Sequence, residues 1–403
     1  MNKLPQFPLS FPLSLLITVA LASCGGSSGG SANTPGAVVS NGAAANLAAS
    51  DTASALATST AVQTTLAAQT AAPSTGSTAA PTTGAKSTST TASVDLDPLM
   101  TDSVFAPTSF WYTAIPLVTP LHPNSKNYVA EVLRQKTAYY GTINVNTNAY
   151  SSPVYVVPAG AATVTVAVWD CQHKGYLDKG LQAQWTAVPI PTNAIPSPGT
   201  DAEMTVYQPS THTMWEFWQT KRVNGQWEAC WGGQMKNTNT SNGVWAGFYG
   251  TTATGLPFLG GQITAEELQR GEIRHVIGIA LVDTEVSTIF SAPAARSDGF
   301  NPTSALNRIP EGTRFRLDPT IDVATLSISP IAKIIAKAAQ IYGFVVWDKA
   351  GSLSLRAEDP SSYITQGLAN PYAAVYNGTP SYALLNGFPW DKLQFLPMNY
   401  PNS

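Results

Sequence analysis

Charge is what this sequence has least of. Only 11% of its 403 residues are Asp, Glu, Lys or Arg, and the net charge is −3. No basic patch or stripe interrupts that neutrality, which argues against nucleic acid as a partner, because phosphate binding needs clustered Lys and Arg. Histidine is nearly as scarce. His122, His173, His212 and His275 show no metal-ligand spacing, there is no HExxH, and the three cysteines form no CxxC pair, so transition-metal chemistry is not expected. A structural calcium, if present, is expected on loop carboxylates such as Asp298 or Asp318, and no other cofactor is implied. A G-x-S-x-G elbow is missing, which argues against an α/β-hydrolase. Gly232-Gly233 and Gly260-Gly261 lack the strand–loop–helix frame of a phosphate loop and read as turns.

Long apolar runs are missing too. The only one near the N-terminus, Leu13 to Ala20 behind Lys3, is shorter than the roughly 20 residues a spanning helix needs. It has the shape of an export signal. The tetrapeptide that follows, Leu21-Ala22-Ser23-Cys24, resembles the bacterial lipoprotein lipobox. That resemblance implies a signal peptide over 1–23, cleavage before Cys24 and lipidation of that cysteine. Gly25, where an inner-membrane retention signal would carry aspartate, then implies lipid anchoring at the outer membrane or cell surface. The next stretch, 24–98, reads as a disordered tether. From Gly25 to Val94 it holds no aromatic residue, and Asp51 and Lys86 are its only charges. Such a segment cannot bury enough apolar surface to offset its ordering entropy. Roughly 70 flexible residues have an end-to-end distance of about 45 Å, which would lift a domain away from a lipid surface.

All ten Trp and all fifteen Tyr follow residue 110, so 99–403 is expected to form a single β-rich globular domain. About 300 residues suffice for one full core. Its pattern is of many short strands. Val154 to Val157, Ala162 to Asp170, Leu181 to Ile190, Ile273 to Leu281 and Thr313 to Leu317 are candidates, and Phe344–Trp347 with Leu353–Arg356 read as a hairpin. Three helices are predicted: one capped by Ser125, one opened by the Thr264…Glu267 capping box, and one started by Ser329-Pro330. The expected fold is all-β, a jelly-roll-like sandwich with a few short helices; a β-propeller is the alternative, although no blade-length repeat is visible. The runs Gly255–Ala280 and Pro310–Asp348 resemble exported bacterial β-rich proteins, a likeness that implies no activity. In an exported chain the remaining even pair, Cys171 and Cys230, is expected to form a disulfide.

The chemistry concentrates between Asp201 and Met235, which holds four of the ten tryptophans and four carboxylates. Three antiparallel strands are predicted there, the last two joined by the hairpin signal Asn224-Gly225. Asp201, Glu203, Thr205 and Tyr207 alternate with Ala202, Met204 and Val206, as in a half-buried strand. A register that sets Thr205 opposite Glu216 puts Glu203, Glu216 and Trp218 on one face, and a one-residue slip would separate them. Two carboxyl groups about 5–5.5 Å or about 6.5–9.5 Å apart are what glycoside cleavage with retention or inversion requires. Glu203 and Glu216 are therefore the candidate acid/base pair, with Asp201 modulating Glu203 and Trp218 and Trp231 as stacking surfaces for sugar rings. His275, flanked by Arg274, is a candidate base, and with Tyr207 it would serve a polysaccharide lyase. The reading that follows is a surface-tethered carbohydrate-active enzyme acting on a polysaccharide or cell-envelope glycan. A non-catalytic glycan-binding or adhesin lipoprotein and a lyase are the alternatives. The plainer explanation, a polar sheet face and a hydrogen-bonded core histidine, competes with both.

Overall fold

The structure, a computed structural model, describes residues 104–401; the signal segment, Cys24 and the tether lie outside them. In chain order, helix α1 (Ser125–Ala138) precedes strands β1 (Asn144–Asn146), β2 (Val154–Val156) and β3 (Val166–Val168) and helix α2 (Lys179–Gln184). The central stretch supplies β4 (Met204–Gln208), β5 (Thr213–Trp218), β6 (Lys221–Val223), β7 (Gln226–Ala229) and β8 (Trp231–Met235). Helices α3 (Phe258–Gly261) and α4 (Ala265–Arg270) lead into β9 (Ile277–Leu281) and β10 (Arg314–Leu317). Helix α5 (Pro330–Ile341), β11 (Phe344–Lys349), β12 (Ser354–Arg356) and β13 (Leu393–Phe395) follow, with two further single-turn helices near the C-terminus.

The β-rich character expected from the sequence is present, in three open sheets with a few short helices. A six-stranded sheet runs β1-β12-β9-β11-β10-β13, a four-stranded sheet β2-β4-β5-β8, and a three-stranded sheet β3-β7-β6. Their stacking is compatible with a sandwich. Among the described residues four of the ten strand pairings are parallel, a feature that antiparallel jelly rolls lack, and no repeated propeller blade is seen.

Three apolar clusters define the layers. One face of the six-stranded sheet, through Ile277, Ile279, Phe315 and Val346, packs on α1, α4 and α5. Its other face, through Val345 and Trp347, meets Tyr207, Met214 and Met235 of the four-stranded sheet. The opposite side of that sheet, through Met204, Val206, Trp215 and Phe217, packs on Val166, Trp227 and Ala229 of the three-stranded sheet and on Leu181 and Trp185. The four-stranded sheet is thus a middle layer. The half-buried strand expected at Asp201–Tyr207 is instead covered on both faces, with Met204 through Tyr207 all buried.

Several local expectations hold. Asn224 and Gly225 have φ of 50° and 82° and join β6 to β7 in two residues. Thr264 and Glu267 complete the capping box of α4, and the Ser329 side chain caps α5. Others change. The Leu181–Ile190 segment begins as helix α2, because the Asp178 side chain accepts the Leu181 N–H and nucleates a turn. Ser125 does not cap α1; its hydroxyl accepts the N–H of Phe395, and Asn124 stands at the cap position. Phe344–Trp347 and Leu353–Arg356 are not hairpin partners, since β9 lies between them. The second and third central strands each change sheet. Gln219, with φ 51°, separates β5 from β6, and Cys230 separates β7 from β8.

That corner is tied by the Cys171–Cys230 disulfide, with Cα atoms 5.6 Å apart and a sequence separation of 59. A bridge closing a loop of that length stabilises the native state by about 4 kcal/mol in the chain-entropy model. Reduction should therefore lower the urea midpoint by an amount equivalent to about 4 kcal/mol while leaving the far-ultraviolet circular dichroism of the folded state unchanged.

Candidate active site

The site begins with strand register. Thr205 pairs with Glu216 and Met204 with Phe217, the register supposed from the sequence. On the other side of β5, Glu216 pairs with Gly233 and Trp218 with Trp231. Side chains directly opposite one another share a face, so Thr205, Glu216, Trp218 and Trp231 project from the same side of the middle sheet. Met214 and Tyr207 project from that side too, toward the six-stranded sheet. Gly233 is needed here, because a Cβ would stand 3.0 Å from the Trp245 ring and 3.1 Å from Tyr249.

Glu216 is wholly buried and held. Its carboxyl accepts the Leu259 N–H at 3.2 Å and the Thr251 hydroxyl at 3.3 Å. Burial raises its pKa to about 8, against the pull of those donors and of the Trp245 indole. The loop above it is fixed by Arg296, whose guanidinium donates to the carbonyls of Phe248, Gly250, Thr252 and Ala253.

Glu203 is different. It is 3% exposed, yet its Oε2 is buried with no hydrogen-bond partner. Burial lifts its pKa well above the usual carboxylate range; the neighbouring charges of Asp201, Glu216 and Asp348 push the same way, and Arg356 opposes them. Its protonated form is therefore favoured relative to an exposed glutamate. Asp201 is half-buried two residues earlier, where its carbonyl accepts the Gln219 N–H at 2.6 Å.

Asp348 enters from the six-stranded sheet. It follows Trp347 on β11 at a register shift, and its side chain is 20% exposed. Burial raises its pKa to about 7, with Arg356 lowering it and Asp298 and Asp201 adding to the rise. Arg356 of β12 is 4% exposed, with a guanidinium nitrogen 3.9 Å from the Asp348 carboxylate. The site is thus built across two layers: Asp201, Glu203 and Glu216 from the middle sheet, Asp348 and Arg356 from the six-stranded sheet.

The other candidates are placed elsewhere. His275 is buried; Nδ1 lies 2.8 Å from the Val276 carbonyl and Nε2 lies 3.2 Å from the Glu267 carboxylate. Burial would raise Glu267, but His275 beside it and the Thr264 donors hold it below the usual glutamate value. His275 therefore fastens the capping-box residue of α4 to the lead-in of β9. Arg274 pairs with Glu272 at 2.8 Å on the surface. Tyr207 is buried at the far end of β4, opposite Met214, rather than beside Glu203. Trp218 is half-buried, and so is Trp231, which stacks on Tyr249 at 5.9 Å and donates its indole N–H to the Phe248 carbonyl. Asp318 accepts from Thr320 within its own turn, and among the described residues no three His, Cys, Asp or Glu side chains gather closely enough to hold a metal ion. No described helix is long and apolar enough to cross a membrane.

Asp348 and Arg356 are the residues that sequence reasoning missed. Asp348 ends an apolar run and Arg356 ends a short alternating one, and no local spacing ties either to Glu203. Compared with protein-family models, curated proteins and solved structures, the chain matches none of them.

The carboxyls raised by burial set a sign for stability against pH. Glu216 favours its protonated form when folded, so its contribution is full below its ordinary value of 4.5 and is lost as pH rises toward about 8. Glu358, also raised to about 8 by burial, and Asp348 act in the same direction. The melting temperature should be higher at pH 5 than at pH 8. Glu216→Gln keeps a neutral acceptor in place and should flatten that decline, by up to about 1.4 kcal/mol per pH unit. Melting curves across the range measure both.

Proposed function

We propose that this chain is a carbohydrate-active enzyme that cleaves a glycan by acid/base hydrolysis. The observation that carries the reading is the Glu203 carboxyl: buried, with an Oε2 that has no hydrogen-bond partner, and with its pKa raised by burial and by the nearby charges of Asp201, Glu216 and Asp348. Glycosidic cleavage needs a proton donor on the leaving oxygen and a second carboxylate to attack or to activate water. Glu203 suits the donor. Asp348, less deeply buried and with an arginine beside it, suits the second role. Asp201 modulates Glu203 through its charge. Glu216, with both oxygens engaged, is a positioning residue that fixes the 251–259 loop over the sheet. This assignment pairs Glu203 with Asp348 instead of Glu216.

Trp218 and Trp231, half-buried and opposite one another, give apolar ring faces of the kind on which sugars stack. The sandwich-like stacking supports the reading by bringing acids from two sheets together. A non-catalytic glycan binder is favoured by one observation, the near-complete closure of Glu203 and Glu216 to solvent. We read the chain as a lipoprotein of the bacterial envelope, anchored through Cys24 at the outer membrane or cell surface, where a glycan partner would lie; the lipobox resemblance supports this.

Glu203→Gln and Asp348→Asn should each reduce the release of reducing ends from a susceptible polysaccharide by at least about 100-fold, within the range general acid/base groups supply. Wild-type turnover in both variants would remove them from the mechanism, and unsaturated products absorbing in the near ultraviolet would replace hydrolysis with a lyase reaction. Cys24→Ser should move the chain from the membrane fraction to the soluble fraction, which immunoblotting of fractionated cells will show.

A further inference from the structure

Two buried arginines on β10 lie outside the carboxyl site. Arg314 and Arg316 are 1% and 3% exposed. They stand two residues apart on the strand, so their side chains leave the same face. Phe315 and Leu317 leave the other face and join the helical core. Arg314 is opposite Val345, on the side turned to the four-stranded sheet. Burying a guanidinium is costly unless acceptors and a counter-charge go with it.

Arg316 has its acceptors. Its Nε donates to the Gln394 side chain at 2.9 Å, Nη1 to the Pro116 carbonyl at 2.7 Å and Nη2 to the Leu117 carbonyl at 3.0 Å. Arg314 is served less well. Its Nη2 donates to the Tyr342 carbonyl at 2.7 Å, but its Nε is buried with no hydrogen-bond partner. The Phe110 and Tyr400 rings lie 5.5 and 5.9 Å from its guanidinium carbon. Aromatic faces attract the cation without accepting the N–H groups in its plane. Among the described residues neither arginine has a carboxylate within salt-bridge distance. Asp318, the nearest acid along the strand, accepts from Thr320 in its own turn. Burial lowers the Arg314 pKa only to about 10, so the side chain keeps its charge at neutral pH.

We propose that Arg314 binds a small monovalent anion, of the size of chloride, at its Nε, with Arg316 adding a second positive charge from the same strand face. A water molecule would supply the acceptor without the counter-charge, and an anion supplies both. The near-complete closure of both side chains leaves room for a small ion rather than a polyatomic one. The ion offsets the charge around which the Phe110 segment, the end of α5 at Tyr342 and Tyr400 are gathered. This site does not depend on the glycan reading.

The test is thermal melting of the full chain in sodium chloride, sodium bromide and sodium gluconate at equal ionic strength. Chloride and bromide should raise the melting temperature over gluconate, saturably and by about 3 °C or more. Arg314→Met keeps a buried stem and removes the charge. It should abolish the difference between the salts, and in gluconate it should melt at least as high as the unsubstituted chain. Crystals grown in bromide should show an anomalous peak beside Arg314 Nε, which decides the matter if Arg314→Met does not fold. Equal melting in the three salts, a halide effect undiminished in Arg314→Met, or the lack of a bromide peak at Nε would each overturn the site.

Discussion

Everything in this structure follows from covering the four-stranded sheet on both faces. One face is pressed on Val166, Trp227 and Trp185, the other on Trp347 and Leu259. A sheet so placed has no solvated side on which to put its acids. Glu203 and Glu216 lie in an apolar seam where ionisation is opposed by the loss of water, and burial raises the pKa of both above that of a surface glutamate. Interactions among groups in such a seam are stronger than in water, which makes it a place for proton transfer and also a source of instability.

The two demands are separated by residue. Glu216 has its donors: a backbone N–H from Leu259 and the hydroxyl of Thr251. The loop that brings them is held by Arg296, whose guanidinium replaces the hydrogen bonds that loop carbonyls would otherwise seek from water. On the facing sheet, Trp347 lies against Gly278, where a Cβ would come within 2.3 Å of the indole. That close approach sets the position of β11 and with it Asp348. The Oε2 of Glu203 is left without a donor, so the surrounding packing helps to hold it in place.

Much of this was legible in the sequence, and what was not has physical reasons. The Asn224-Gly225 turn, the capping box and the Ser329-Pro330 helix start are local chemistry, readable in a few residues. The register of β4 on β5 could be supposed from the alternation but not fixed by it, since a one-residue slip leaves both strands intact; the structure sets Met204 opposite Phe217. Burial of the polar face was not. Glu203 and Thr205 look like a wet surface until the six-stranded sheet, built mostly from residues after 270, is laid on them. The separation of β11 from β12 was hidden for the same reason, since β9 enters between them from some 70 residues away by the chain numbering. Asp348 and Arg356 became candidates only through that non-local pairing.

The order of strands in the six-stranded sheet governs how the chain must assemble. Its first strand by sequence, β1, docks on β12, so Asn144 waits for Ser354. Its far edge is closed by β13, with Phe315 set against Phe395 only a few residues before the C-terminus. No hairpin formed early during synthesis can complete this layer, because most of its neighbours are distant along the polypeptide. Loop closure across these separations, rather than local propensity alone, is expected to govern the folding rate. A chain cut short by its last dozen or so residues would expose the β10 edge as an unpaired template for self-association.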